Sequence, residues 1–204
     1  MAQINLPMAL TFARMAAGPV VAGVTLWGAA QGYVDPPLGG LIFLCAGAVF
    51  TIAAVTTRIV ATSEPFGAAL ERCANRVLVT CSFVALCGVS SVPVNLVIAA
   101  VLLLGCDAAV TGLREALSAS GRRPPASALG TWTMAAEMVG VAALLLEQAA
   151  YLDNASDLIF HAIAWTARAA IWGAVALALV NSYDFAASLA RKPSVEPTEI
   201  DRVH

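Results

Sequence analysis

Asp107, Glu137 and Arg168 are charged residues set inside long apolar runs. In a membrane such a charge is costly unless it is paired or hydrated, and it commonly marks a site. Asp107 and Glu137 lie toward corresponding ends of their runs, where water or a lipid headgroup can reach them. Arg168 lies near the middle of the last run. It shares a helix face with Trp165 and Trp172 through i, i+3, i+7 spacing. Its chemistry reads two ways: an internal salt bridge or carbonyl contact, or a contact to another membrane protein or a bound lipid. His161 falls on the same face, as a hydrogen-bonded structural residue or, alternatively, a pigment or haem ligand. Arg58, Arg72, Arg76 and Arg114 stand near the ends of apolar runs, suited to lipid phosphates or to anchoring helix ends. Cys45, Cys73, Cys81, Cys87 and Cys106 form no CxxC pair and have no zinc-type spacing with His161 or His204, so they read as packing residues.

The elements that must position these residues are set by composition. Of 204 residues, 60% are hydrophobic and only 12% charged, with mean hydropathy +0.82. A soluble domain carries roughly 25% charged residues, so too little polar surface exists to face water all round. A spanning helix needs roughly 20 mostly apolar residues. Six such runs fall at about Ala9 to Ala30, Leu38 to Val60, Val77 to Val89, Val92 to Leu117, Ala128 to Ala149 and Leu158 to Ala187. The third is short, and its first turns are expected to reach back through Arg76 and Glu71. Loops are punctuated at Asp35-Pro36-Pro37, Ser63-Glu64-Pro65, Ser91-Val92-Pro93 and Arg122-Arg123-Pro124-Pro125.

The predicted class is therefore an all-α polytopic bundle of six transmembrane helices over 1–191, with a mobile tail over 192–204. Arg58, Arg72 and Arg76 follow the second run; Arg114, Arg122 and Arg123 follow the fourth; Arg191, Lys192 and Arg202 lie in the tail. The alternate loops hold no Lys or Arg, only Asp35 in one and Glu147, Asp153 and Asp157 in another. By the positive-inside rule both termini are expected in the cytoplasm, in an inner membrane. Polar Gln3 and Asn5 precede the first run without a basic stretch, so no cleaved leader is expected. No basic block suggests nucleic acid.

Four stretches, in order, resemble the CDP-alcohol phosphatidyltransferase family. INLPMALTFARMAAGPVV is similar to the family's NLPNxLTxxRxxxxP opening, and TGLREALSASG (Thr111 to Gly121) to a segment of its phosphatidylglycerophosphate synthase branch. ALGTWTMAAEMVGVAALLL (Ala128 to Leu146) resembles that branch's LGKxKTxxQMxAxxLLL, and NSYDF (Asn181 to Phe185) its closing helix.

The resemblance implies a signature DxxDGxxAR, then GxxxDxxxD, whose four aspartates hold two divalent cations on the CDP pyrophosphate. In this chain Arg58 keeps the signature arginine and Gly67 follows nine residues later. The aspartate positions are then Phe50, Ala53, Glu71 and Asn75, while Ala54 replaces the glycine and Thr57 the alanine. Glu71 and Asn75 still share a helix face at i, i+4, but Asn75 is no base and hard cations want anionic oxygen. The branch's arginine-glutamate pair is Cys106-Asp107, and the two lysines of GKxKT are Thr131 and Thr133, so cations for an acceptor phosphate are gone as well.

Two functions follow from the resemblance. One is a non-catalytic relative with no metal or other cofactor, serving as a scaffold, accessory subunit or lipid-binding partner in a membrane complex. The other is an active phosphatidylglycerophosphate synthase, joining CDP-diacylglycerol to glycerol 3-phosphate with unusual metal ligands. Expected partners are phospholipid and another membrane protein or a homodimer mate. Small residues at Ala29-Ala30, Gly39-Gly40, Ala46-Gly47-Ala48 and Ala169-Ala170 allow close helix contacts in either a bundle or a dimer.

Overall fold

A computed structural model describes residues 6–59, 65–119 and 128–190, and among these every regular element is helical. The six helices are α1 (Leu6–Gly32), α2 (Pro36–Ile59), α3 (Pro65–Cys87), α4 (Val94–Ala119), α5 (Ala128–Leu152) and α6 (Asp157–Ala190). Five contain windows long and apolar enough to cross a membrane: Met8–Gly32, Pro36–Val55, Val94–Ala119, Leu129–Leu152 and Asp157–Ala187. This is a polytopic integral membrane bundle.

Why the chain turns where it does is local. Asp35 accepts a 3.5 Å bond from the Leu38 amide with Pro36 just inside the helix, an acidic cap followed by the imino acid that loses nothing at a first turn. The α5–α6 turn uses Asn154 at φ 49°, a left-handed conformation that asparagine tolerates. Within the helices, hydroxyls bond back one turn, as Thr51 to Gly47 O and Ser82 to Leu78 O, which spares them an unpaired donor in a dry setting.

Two placements go beyond the sequence expectation. The third helix reaches back through Arg76 and Glu71 as expected and further, to Pro65, so Arg72 and Arg76 lie in its first turns and not in a loop. Its first turns carry Glu71, Arg72, Asn75 and Arg76, which is why it lacks the uniform apolarity of the other five. Glu147, counted above with loop acids, lies inside α5 and is only 4% exposed. The expected tail over 192–204 lies outside the described residues.

Packing runs from α3 to α1, α2, α5, α6 and α4, and smaller contacts of α3 with α4 and α5 close the bundle. Phe43, Phe50, Leu78, Phe83, Leu144, Leu145 and Ile171 fill its centre. Outward residues such as Ile52, Val101, Leu158 and Trp165 are exposed, an apolar surface suited to lipid. Close approach depends on missing side chains. A Cβ on Gly39 would fall 2.6 Å from the Gly32 Cα, so the start of α2 crosses the end of α1 backbone to backbone.

Candidate functional site

The motif positions come together where α2 faces α3, but not as a polar pocket. Phe50 is 0% exposed and belongs to the apolar core with Leu78 and Phe83. Ala53 is buried beside it, and Ala54 is half-buried against the same core. Across from them, Gly67, Glu71 and Asn75 of α3 are half-buried. Arg14 of α1, 3% exposed, reaches into this group and donates a 3.4 Å bond to Asn75 Oδ1. Glu71 lies close enough to interact electrostatically with the same guanidinium. The side chains of Thr57 and Arg58 lie outside the described residues.

This donor set does not fit the pair of divalent cations that the resemblance implies. Hard cations take several anionic oxygens, and in the register the resemblance implies an aromatic ring and a methyl group stand at two carboxylate positions. The remaining acid and amide share their surroundings with a fixed positive charge, which repels a cation. Among the described residues no group of three or more His, Cys, Asp or Glu side chains could hold a metal ion.

A second cluster lies one helix further in. Arg76 of α3 forms an ion pair with Asp107 of α4 and also donates to the Thr111 hydroxyl, which itself bonds back to Asp107 O at 2.7 Å. Glu137 of α5, 5% exposed, completes the lining with Met134, Phe83 and Leu103. The enclosed space is about 10 Å³, room for a single water. Asp107 and Glu137 do line one cavity, with Arg76 beside them, but its space is too small for a lipid headgroup.

The other candidates are dispersed. Arg114 sits over the Phe185 ring at 5.6 Å, tying α4 to α6. Arg72 is exposed. Thr131 is exposed, while Thr133 is buried and donates to Leu129 O at 2.9 Å, so neither offers what a lysine would. His161 is exposed, with Nδ1 2.7 Å from Asp157 O. Arg168 of α6 lies well away from these groups and pairs at 3.2 Å with Glu147 of α5. Two participants were not singled out from sequence, Arg14 and Glu147. The signal for Glu147 was available: an acid inside an apolar run, with an unmatched arginine inside the next run.

Comparison with known proteins gives the lineage of this arrangement. The sequence profile of the CDP-alcohol phosphatidyltransferase family matches residues 4–180. Over 191 residues the chain is 27% identical to the CDP-diacylglycerol--glycerol-3-phosphate 3-phosphatidyltransferase of Bacillus subtilis, covering 89% of this chain and 93% of that protein. A protein of the same name from Cereibacter sphaeroides is 30% identical over 149 residues, covering 70% of this chain and 63% of the other.

Proposed function

Because the chain belongs to the CDP-alcohol phosphatidyltransferase family, we propose that it is a phosphatidylglycerophosphate synthase-type membrane protein whose ligands are phospholipids of that chemistry. The observation that carries this is coverage: the family match spans residues 4–180, and both relatives bear one activity name. In the transfer reading, which the relatives favour, a glycerol 3-phosphate hydroxyl displaces CMP from CDP-diacylglycerol. The new phosphodiester forms as the pyrophosphate bond breaks, and the hydroxyl proton is lost.

A second reading is favoured by a specific observation, the burial of Phe50 in the core where a metal carboxylate is expected, with Arg14 bonded to Asn75. In this reading the protein is a non-catalytic member. It acts as a scaffold, accessory subunit or lipid-binding partner, as a homodimer or with another membrane protein. In both readings it lies in the inner membrane with its termini in the cytoplasm, supported by Arg58 at the end of α2, Arg72 and Arg76 in the first turns of α3, Arg122 and Arg123 after α4, and Arg191, Lys192 and Arg202 beyond α6.

One assay separates the two. Purified protein is given CDP-diacylglycerol, glycerol 3-phosphate and Mg²⁺ or Mn²⁺, and CMP and phosphatidylglycerophosphate are measured. Metal-dependent release that Glu71→Ala abolishes establishes transfer. Release no faster than the protein-free blank removes that reading and leaves the non-catalytic one.

A further inference from the structure

At the opposite end of the bundle from the Arg76–Asp107 pair, a cavity of about 190 Å³ opens between α5, α6 and the turn into α4. Its lining includes Ser91, Glu147, Gln148, Tyr151, Phe160 and Arg168. Glu137 and Glu147 are ten residues apart on one helix, so the two polar clusters are separated by about 15 Å along the axis. Ser91 belongs to a turn, and Glu147 is five residues from the end of α5, about 8 Å of helix. For a helix crossing about 30 Å of hydrocarbon, that puts Glu147 near the boundary between hydrocarbon and headgroups, with Arg168 reaching up to it from deeper in α6.

Its polar groups are only half matched. Arg168 spends Nη2 on Glu147 Oε1 at 3.2 Å, and its other N–H groups have no partner among the described residues. Glu147 is 4% exposed, and its Oε2 is buried with no hydrogen-bond donor. Gln148, equally buried, accepts from the Ser91 hydroxyl through Oε1, which leaves its amide N–H groups for another acceptor. An unmet buried carboxylate oxygen costs free energy, and here it lies beside unmet donors in a space several times the ~30 Å³ of one water.

We propose that this cavity binds the headgroup of a glycerophospholipid that carries a hydrogen-bond donor, an ammonium or a hydroxyl. The phosphate accepts from Arg168 and Gln148, and the ammonium or hydroxyl donates to Glu147 Oε2. Charge-assisted bonds of this kind are the stronger class. The rim explains why a lipid is the ligand rather than a soluble phosphoester. Tyr151 and Phe160, 6.4 Å apart, line the outer side, while Trp172 and Leu179 follow Arg168 at i+4 and i+11 on α6 toward the bilayer centre and are 41% and 51% exposed, an apolar track for acyl chains. The site is separate from the α2–α3 region and does not depend on which reading of the transfer reaction holds.

The test uses the full-length protein, delipidated in detergent, and binding read by native mass spectrometry and thermal shift. The probes are phosphatidylethanolamine, phosphatidylglycerol, phosphatidylcholine and soluble glycerophosphoethanolamine. Phosphatidylethanolamine or phosphatidylglycerol is expected to bind at least tenfold more tightly than phosphatidylcholine, whose quaternary ammonium has no N–H to give. Glycerophosphoethanolamine is expected to bind at least tenfold more weakly than the intact lipid; equal binding would overturn the assignment to a lipid. Ser91→Trp, which fills the mouth and leaves the Glu147–Arg168 pair intact, should abolish the preference while the protein stays monodisperse. The paired variant Glu147→Gln with Arg168→Gln should do the same without leaving a lone charge. Equal binding of all three lipids, no retained lipid, or an unchanged preference in the folded Ser91→Trp protein would each defeat the proposal.

Discussion

Arg76 is the residue on which the inner polar cluster turns. It holds Asp107 and Thr111 at once, and with Glu137 it reduces the enclosed space to about one water. Breaking a buried ion pair from one side leaves a charge without its partner, whereas replacing both members by apolar groups is often close to neutral. Asp107→Leu is therefore expected to lower stability by about 1–3 kcal/mol, less than a fully buried pair because both side chains keep some exposure. The double variant Arg76→Met with Asp107→Leu should recover much of that loss. Thermal melts of the two single variants and the double variant in one detergent check this as a cycle; strictly additive losses would show that the pair contributes no coupling. The sequence marked Asp107 and Glu137 because each interrupts an apolar run. It did not show that Arg76 would be their counter-ion, since that depends on how α3 is rotated against α4.

Helix-to-helix approach is governed by where side chains are absent. At Gly39 an added Cβ would meet the Gly32 backbone at 2.6 Å, and backbone cannot swing aside as a flexible side chain does. At Gly23, on the same pair of helices, an added Cβ meets nothing within 4 Å. Gly39→Ala is expected to destabilise by about 1–3 kcal/mol through overpacking. Gly23→Ala should be neutral or stabilising by up to about 1 kcal/mol, because alanine is the better helix former. Melting both in the same detergent is the check, and similar shifts for the two would mean the α1–α2 crossing is looser than its geometry. At this scale the sequence was most informative. Runs of apolar residues bounded by Asp-Pro, Ser-Val-Pro and charged loops delimited five helices to within a few residues. The start of α3 was legible only as far back as Glu71, because the residues before it carry no apolar period. Burial of Ala74 and Leu78 beside Glu71, Arg72 and Arg76 shows a helix with one polar face, which begins at Pro65. The small-residue pairs were readable as contact points, yet their actual partners, such as Gly32 for Gly39, follow only from three-dimensional adjacency.

Across the whole molecule, polarity is divided between two ends. One end carries Arg14, Glu71, Asn75, Arg76, Asp107 and Arg114; the other carries Glu147, Gln148, Asp153 and Asp157, with Arg168 drawn toward them by Glu147. In the proposed topology the excess of arginine keeps the first end in the cytoplasm, since cytoplasmic loops retain Lys and Arg. Arg168 does not disturb that bias, because its charge is matched within the helical pair rather than presented in a loop. The family's transfer chemistry would use the arginine-rich end, and the cavity beside Arg168 would face the other leaflet. That division makes orientation a property of the entire chain, and it can be tested without touching either cluster. On a background with the five cysteines replaced by serine or alanine, Ser156→Cys lies at an exposed position in the α5–α6 turn. It is expected to react with a membrane-impermeant maleimide added to spheroplasts. His204→Cys, in the tail, should react only after the membrane is opened. Labelling of His204→Cys from outside, with Ser156→Cys protected, would invert the topology. It would also place the arginine-rich end in the leaflet away from the cytoplasm, where a CDP-activated lipid has no supply, and the transfer reading would fall with it.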